Sequence, residues 1–269
     1  MFKFPDPPLN SLLNEHYLNH DVSLDEQQYR DSSSVLLNLD CLAGLKLLKD
    51  ESVHLCMTDP PYNLGNFMKG RNTGVFRLRE NHFVASGWDD LAYEDWYVQM
   101  LDFLQLTYSK LAPNGAVIIF MSIIKVESII EIAQKAGFYY KTTGIWHKTN
   151  PMPRNMNLTF VNSTEAWVYL IKKGPSGTFN NNGKLLHDFI ETGLTPKSEK
   201  KFGKHPTQKP EKLIQHFVEV LSNPNDLIID PFMGSGTTAV VSKKCGRRFF
   251  GTELNSEYFD SACNRVKDV

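Results

Sequence analysis

The 269-residue sequence has only four cysteines, and no two of them stand in a CxxC pair. This spacing excludes a zinc ribbon and a dithiol redox motif. His16 and His20 are four residues apart, but the glutamate of an HExxH motif and a third ligand are both missing. We therefore predict no metal site, and we interpret the cysteines as reduced thiols that pack in the core.

An excess of charge of one sign is also lacking. Lysine and arginine total 29 residues against 30 of aspartate and glutamate, so bulk charge does not draw the chain to polyanions, although a local basic face is still allowed. No apolar run approaches the ~20 residues that cross a bilayer, and the first residues contain no apolar stretch of the signal-peptide type. We expect a cytoplasmic, folded protein.

From residue 35 onward, short apolar runs rich in β-branched residues alternate with helical periods. The alternation predicts strands at about 35–39, 53–58, 116–121, 138–146, 165–171, 227–230 and 248–252. It predicts helices near 91–111, 124–136, 210–222, 236–245 and 255–267. The fold class is therefore α/β, with a mostly parallel seven-stranded sheet and helices on both faces.

The domain organisation follows from where this rhythm is absent. The polar residues 1–34 predict an N-terminal arm, and residues 35–269 predict a single domain. The rhythm is broken at 63–90 and at 172–206, and insertions into the domain are placed at about 63–90 and 148–203. Loops of this length in a compact domain are usually functional.

Asp59-Pro60-Pro61-Tyr62 directly follows the predicted strand 53–58. The carboxyl ends of strands open onto the ligand crevice of an α/β sheet, and two prolines make the turn rigid. Asp59 and the Pro60 carbonyl can both accept from an amino group, while Tyr62 can stack on a ring. These features favour a flat, amino-bearing substrate over a plain turn, since Asp6-Pro7-Pro8-Leu9 has neither the preceding strand nor the aromatic residue.

A glycine turn follows the predicted strand 227–230. Gly234 and Gly236 let the backbone approach a ligand, and the next helix offers N–H groups at its amino end. Glu253 ends the following strand, where an acidic side chain can accept both hydroxyls of a ribose. These features predict a site for a nucleoside-bearing cofactor.

The same turn also satisfies the dinucleotide fingerprint as Gly234-x-Gly236-x-x-Ala239, so a nicotinamide-dependent oxidoreductase is an alternative. Only 30 residues follow Ala239, too few for a second nucleotide-binding half. Upstream, Thr207 and Lys209 can bind a carboxylate beside a helix start. Taken alone, Asp40 is interpreted as a helix N-cap.

Three segments taken together resemble the S-adenosylmethionine-dependent DNA amino-methyltransferases: residues 59–62 (DPPY), 204–210 (KHPTQKP) and 230–238 (DPFMGSGTT). The DPPY tetrad precedes the glycines, an order similar to that of the β-class of this family. The resemblance covers about residues 35–267. It implies a Rossmann-like sheet with a permuted motif order and S-adenosyl-L-methionine as the cofactor.

The resemblance also implies roles for individual residues. The implied catalytic residues are Asp59, Pro60, Pro61 and Tyr62. The implied cofactor-binding residues are Asp40, Cys41, Thr207, Lys209, Asp230, Phe232, Gly234, Ser235, Gly236, Thr237, Thr238 and Glu253. The loop at 232–238 would hold the methionine part, Glu253 the ribose hydroxyls, and Asp40 with Cys41 would lie near the adenine.

Aspartate rather than serine at the head of the tetrad is similar to the adenine-N6 pattern, with cytosine N4 as the alternative. The implied reaction is site-specific methylation of DNA after base flipping. A homodimer and a cognate restriction endonuclease are implied partners. The predicted DNA contacts are basic residues of the two insertions and of the segment after them: Lys69, Arg71, Arg77, Arg79, Lys197, Lys200, Lys201 and Lys204.

Overall fold

The computed structural model describes residues 17–19, 28–64, 91–152, 160–203 and 205–269. In this part of the chain the strands are β1 (Gln28–Arg30), β2 (Ser34–Leu37), β3 (Val53–Thr58), β4 (Leu111–Met121), β5 (Phe138–Lys148), β6 (Thr164–Lys172), β7 (Phe189–Thr192), β8 (Leu227–Asp230) and β9 (Arg248–Thr252). The helices are α1 (Cys41–Leu47), α2 (Tyr93–Lys110), α3 (Val126–Lys135), α4 (Glu211–Leu221), α5 (Thr237–Lys244) and α6 (Ser256–Lys267). None of the helices in these ranges is both long and apolar enough to span a bilayer.

The strands form one sheet in the order β1-β2-β9-β8-β3-β4-β6-β5-β7. All neighbours pair in parallel except β1 with β2 and β6 with both of its neighbours. The predicted α/β class and mostly parallel sheet are confirmed. The prediction of seven strands misses the two edge strands β1 and β7. They are as short as β2 and β8, but unlike those strands they are not runs of buried apolar residues.

Both faces of the sheet are covered. On β4, Val117 and Ile119 belong to a core cluster with side chains of α2 and α3, whereas Ile118 and Phe120 pack with side chains of α4. A third cluster joins α5 and α6 to β2 and β9. Burial on both faces explains why the central strands are continuous apolar runs rather than alternating ones.

Most element boundaries match the predicted ones, except that β4 begins at Leu111 rather than at about 116. Strands β3, β8 and β9 have the predicted bounds, and the five predicted helices are confirmed within two residues at each end. Helix α1 was missed, although its first turn carries the signal that we assigned to Asp40. This side chain accepts from the backbone N–H groups of Leu42 and Ala43 at 2.9 and 3.1 Å, so Asp40 is the N-cap.

The described parts of the predicted N-terminal arm belong to the domain. Leu18 is buried and forms an isolated bridge with Leu48, and the Asn19 side chain donates to the backbone oxygen of Leu48 at 3.0 Å. Strand β1 adds to the sheet edge, and Lys243 of α5 binds Asp31 at 2.8 Å. The packed domain therefore starts before residue 35.

The chain topology fixes the position of a crevice. Strands β3 and β8 are parallel neighbours, and from them the chain continues to opposite sides, to β4 and to β9. Such a switch point leaves a crevice at the carboxyl ends of the two strands. The DPPY tetrad follows β3 and the glycine turn follows β8, so both segments leave the sheet at this crevice.

Candidate active site

The DPPY tetrad is held from both sides. The Tyr62 hydroxyl donates to Asp59 Oδ1 at 2.5 Å, and the Trp96 indole N–H of α2 donates to the Pro61 carbonyl at 3.4 Å. The next residue, the buried Asn63, exchanges two hydrogen bonds with the backbone of Leu91 at 3.0 and 3.1 Å. The two prolines and these contacts fix the direction in which the Asp59 carboxylate points.

The turn after β8 is fixed by side chains that bind its backbone. Asp230 accepts from the Phe232 N–H at 3.2 Å and from the Thr238 hydroxyl at 2.7 Å. The Glu253 carboxylate accepts from the Gly234 N–H at 2.9 Å through one oxygen and from the Asn255 N–H at 2.8 Å through the other. The loop and the end of β9 therefore form one rigid unit.

Glycine is required at both positions of this turn for different reasons. Gly234 has φ +53, and a Cβ there would lie 3.1 Å from the His205 ring. Gly236 has φ +75, precedes α5, and would place a Cβ 2.7 Å from that of Ala262 on α6. Gly234 thus keeps space open beside the crevice, whereas Gly236 allows two helices to pack closely.

A cavity of about 320 Å³ lies between the two strand ends. The expectation that the tetrad and the glycine turn meet in one cavity is confirmed. Of the sixteen predicted catalytic and cofactor-binding residues, all but Gly236 line it: Asp40, Cys41, Asp59, Pro60, Pro61, Tyr62, Thr207, Lys209, Asp230, Phe232, Gly234, Ser235, Thr237, Thr238 and Glu253. Gly236 lies behind the lining, in the contact between α5 and α6.

The charges at the tetrad form a chain of alternating sign. The Lys209 ammonium is paired with Asp59 and lies 3.2 Å from Glu165 Oε2 on β6. Glu165 Oε1 binds Lys148, at the end of β5, at 2.5 Å. The Lys209 side chain is 7% exposed, and both carboxylates are 21% exposed. The sequence indicated Lys209 as a cofactor ligand, whereas its charged contacts are with these carboxylates.

Burial sets the protonation behaviour of these groups. Burial and the Glu165 charge raise the pKa of Asp59, although Lys209 and the Tyr62 hydroxyl oppose the shift. Burial also acts to raise the pKa of Glu165, but Lys209 and Lys148 outweigh it and lower this pKa. At the next strand end, burial raises the pKa of Asp230 to about 7. The site therefore contains carboxylates whose pKa values are shifted in different directions.

Comparison with known proteins agrees with this geometry. The family profile described as DNA methylase matches residues 53–264. The chain belongs to this DNA methylase family. It is 32% identical to type II methyltransferase M2.DpnII of Streptococcus pneumoniae over 94% of this chain and 97% of that one. It is 31% identical to M.HinfI of Haemophilus influenzae over 91% of this chain and 71% of that one.

Two solved structures are similar to the methyltransferase described here. The M1.HpyAVI–SAM complex is 29% identical, with a TM-score of 0.65 over 86% of this chain and 98% of that one. The cytosine-N4-specific PvuII DNA methyltransferase is 20% identical, with a TM-score of 0.69 over 87% of this chain and 86% of that one, which is a likeness of fold. The enzyme is an S-adenosylmethionine-dependent DNA methyltransferase. The alternative of a nicotinamide-dependent oxidoreductase is therefore rejected.

The cavity fits the methyl donor of the family. One wall has a glycine turn at the start of α5, which lets a ligand approach the backbone, and Glu253 as an acceptor at the end of β9. Phe232, Leu39 and Tyr258 add apolar and aromatic surface for a nucleoside. Each carboxylate oxygen of Glu253 accepts one backbone N–H and has lone pairs left for hydroxyl groups.

Sequence reasoning missed several residues that shape the methyltransferase site. Arg265 of α6 is 5% exposed and donates to the Ser235 carbonyl at 2.8 Å and to the Thr237 hydroxyl at 3.0 Å. Its second amino group binds Glu211 of α4 at 3.2 Å. Arg265 therefore ties the glycine turn to two helices. The sequence signal that could have indicated Arg265 was an arginine on the apolar face of α6. For Glu165 the signal was a carboxylate at the start of an apolar strand.

The predicted DNA contacts are only partly within the described residues. Lys69, Arg71, Arg77, Arg79 and Lys204 lie outside them. Lys197 is exposed and Lys200 is partly exposed, in the short 3-10 turn Lys197–Lys200. The third lysine, Lys201, forms an ion pair with Asp268, and its ammonium also lies 4.7 Å from the Phe202 ring centre. None of these three lysines lines the cavity.

Proposed function

We propose that this methyltransferase transfers a methyl group from S-adenosyl-L-methionine to the exocyclic N6 of adenine at a specific sequence in DNA. The observation that carries the proposal is that Asp59 and Gly234 line the same cavity. The head of the tetrad is aspartate, and the relatives with the highest identities quoted above are type II methyltransferases. No feature of the cavity favours cytosine N4 as the target.

The tetrad would prepare the amino group for attack. An adenine amino nitrogen is a poor nucleophile because its lone pair is delocalised into the ring. Hydrogen bonds from the two amino hydrogens to Asp59 and the Pro60 carbonyl favour the tetrahedral nitrogen, whose lone pair can attack. Bound S-adenosylmethionine supplies a methyl group on a positively charged sulfur, so the nitrogen forms the new N–C bond while the sulfur keeps the electron pair of the broken C–S bond.

Asp59 would also receive the proton that the methylated nitrogen loses, and its burial, which raises its pKa, suits it to this step. The tetrad and the glycine turn hold the reacting groups at fixed positions, and such positioning supplies much of the rate enhancement. To reach the nitrogen in a duplex, the base must leave the stack at a cost of a few kcal/mol. Stacking on the Tyr62 ring offsets part of this cost.

The remaining cavity residues would divide the cofactor among them. The loop at 232–238 would hold the methionine part, Glu253 the ribose hydroxyls, and Asp40 with Cys41 the region around the adenine. Thr207 and Lys209 would lie at the amino acid end. This division is supported by their common exposure in the cavity.

DNA contacts would come from the insertions. We propose Lys197 and Lys200 as phosphate contacts, together with Lys69, Arg71, Arg77, Arg79 and Lys204. Lys201 binds phosphate more weakly in this proposal because Asp268 already pairs with it. Replacing Lys197 or Lys200 with alanine should reduce the slope of log binding constant against log salt by about 1 for each phosphate that is no longer neutralised.

Two further parts of the proposal concern partners. A restriction endonuclease with the same target sequence accords with the type II names of the relatives. A homodimer is the oligomeric state that the family resemblance implies. Light scattering after size-exclusion chromatography tests the dimer, since the molar mass measured for the eluted protein should be twice that of one chain.

The experiment that tests the reaction uses methyl-labelled S-adenosylmethionine and unmethylated genomic DNA. Mass spectrometry of the digested nucleosides should find N6-methyladenine. Asp59→Ala should lower the transfer rate by about 100- to 1,000-fold while the cofactor dissociation constant, measured by calorimetry, stays within a few-fold. N4-methylcytosine as the product would overturn the adenine assignment, and unchanged turnover in Asp59→Ala would overturn the role of Asp59.

A matched control is Asp50→Ala. Asp50 also pairs with a lysine, Lys110, at 2.6 Å, but its side chain is 69% exposed and it precedes β3, at the opposite end of that strand from the cavity. This variant should retain wild-type turnover. Sequencing DNA from cells that express the chain, with detection of modified bases, then gives the target sequence.

A further inference from the structure

Glu165 has no role in the reaction as proposed, yet it is one of the carboxylates nearest to the tetrad. Strand β6 places it beside Lys209, which lines the cavity, although Glu165 itself is not part of the lining. Its Oε1 binds Lys148 at 2.5 Å. Its buried Oε2 lies 3.2 Å from Lys209 Nζ, and among the described residues no hydrogen bond of ordinary geometry reaches this oxygen.

The Lys209 ammonium thus has two carboxylates within reach and is hydrogen-bonded to Asp59. Under the proposed function, Asp59 must stabilise the positive charge that develops on the attacking nitrogen. An ammonium held against Asp59 neutralises this carboxylate and repels the developing charge. The methyl transfer therefore requires the ammonium to be drawn away from Asp59 when the amino group arrives.

We propose that Glu165 takes over the Lys209 ammonium when the target amino group binds Asp59, which makes Glu165 a positioning residue for methyl transfer. This inference rests on the proposed function of Asp59. The Lys209 ammonium has only a short way to shift, because its Nζ already lies 3.2 Å from Glu165 Oε2. The fixed contact with Lys148 holds Glu165 in place while Lys209 shifts.

The charge balance favours this exchange. The free site contains Asp59, Lys209, Glu165 and Lys148, so two negative and two positive groups neutralise one another. After the shift, Lys209 and Lys148 both pair with Glu165, and Asp59 is left with its charge for the amino group. No buried charge is left without a partner at either stage.

The test compares Glu165→Gln with the wild-type enzyme. Glutamine has the same shape but no charge, so Lys209 stays on Asp59. We expect kcat to fall about 10- to 100-fold. The dissociation constant for S-adenosylmethionine, measured by calorimetry, should change less than about twofold.

A second readout separates positioning from a structural role. The groups that face Asp59 are Lys209, Glu165, Tyr62 and Asp230. Removing the Glu165 charge lowers the pKa of Asp59, since that charge raises it and Lys209 lowers it. The acid limb of the kcat profile should therefore move to lower pH in Glu165→Gln while the plateau falls.

The matched control is Glu51→Gln. Glu51 also pairs with a buried lysine, Lys172, at 3.1 Å, but it lies before β3, at the opposite end of that strand from the cavity, and Lys172 does not line the cavity whereas Lys209 does. This variant should keep the wild-type kcat and pH profile. Glu165→Asp keeps the charge and should retain more activity than Glu165→Gln.

The outcomes are distinct. A wild-type enzyme that labels no DNA overturns the proposed function itself. If the wild-type enzyme labels DNA, two results overturn only the role of Glu165: a Glu165→Gln variant with the wild-type kcat, or one whose kcat falls while the acid limb does not shift. If Glu165→Gln does not fold, Glu165→Asp decides, because its carboxylate is one methylene shorter and reaches Lys209 less well. A kcat several-fold below wild type at unchanged cofactor affinity supports the role, and a wild-type kcat overturns it.

Discussion

Lys209 and Asp59 form an ion pair at the carboxyl end of β3, although 150 residues separate them in the chain. Lys209 precedes α4, whereas Asp59 begins the DPPY tetrad. The pair links the segment after the second insertion to the residue that we propose to bind the target base. A change on either side of this pair should therefore alter turnover.

The Tyr62 ring and hydroxyl should contribute separately. Tyr62→Phe removes the hydrogen bond to Asp59 and keeps the ring, so we expect turnover to fall only a few-fold. Tyr62→Ala also removes stacking worth about 1–3 kcal/mol per base, and KM for DNA should rise about 10- to 100-fold. Steady-state kinetics at saturating cofactor measure both effects. Equal kinetics for the two variants would contradict a stacking role.

Glu253→Gln should weaken cofactor binding. The carboxylate accepts from two backbone N–H groups, and a glutamine side chain offers only one oxygen. We expect the dissociation constant for S-adenosylmethionine in calorimetry to rise about 10- to 100-fold. Glu257→Gln, on the exposed first turn of α6, is the matched control and should bind like wild type. Equal affinities of the two variants would count against Glu253.

Arg265→Lys should separate cofactor affinity from chemistry. Lysine cannot reproduce the fork that binds Ser235, Thr237 and Glu211, so the glycine turn is no longer tied to α4 and α6. We expect about a tenfold increase in the cofactor dissociation constant with little change in kcat at saturation.

Arg247→Lys is the control for this variant. Arg247 is 9% exposed and also donates to backbone oxygens, those of Ser222 and Cys245, but these two residues do not line the cavity, whereas Ser235 and Thr237 do. The Arg247→Lys variant should have a lower melting temperature and an unchanged cofactor affinity. A similar decrease of affinity in both variants would show that Arg265 acts only through overall stability.

Asp230 should make stability depend on pH. Its pKa is raised by burial from 3.8 to about 7, so between these values the folded protein binds this proton more tightly than the unfolded chain does. The free energy of unfolding should therefore fall as pH rises through this range, with an upper limit on the order of 4 kcal/mol. Asp230→Asn removes this dependence while an amide can still meet the Phe232 N–H and the Thr238 hydroxyl.

Melting temperatures between pH 5 and pH 8 measure the effect. The difference between Asp230→Asn and wild type should grow in favour of the variant as pH rises. A difference that does not change with pH would mean that Asp230 titrates at its ordinary value in the folded protein.

The sequence by itself determined the tetrad, the glycine turn and the strands that precede them. Each of these signals lies within about ten consecutive residues, such as Val53–Thr58 followed by Asp59, because strand pattern and turn chemistry are local properties of the chain. The helix cap at Asp40 was readable for the same reason. The short edge strands β1 and β7 could not be predicted, since, unlike β2 and β8, they lack a run of buried apolar residues.

The tertiary structure decided which charges meet. Lys209 could be assigned to a cofactor from its segment, but its pairing with Asp59 and its distance to Glu165 depend on how α4 and β6 pack against β3. The role of Arg265 and the close contact at Gly236 likewise arise only when α6 lies on the glycine turn. Electrostatic and packing contacts act through space, so residues far apart in sequence acquire them only after the sheet has formed.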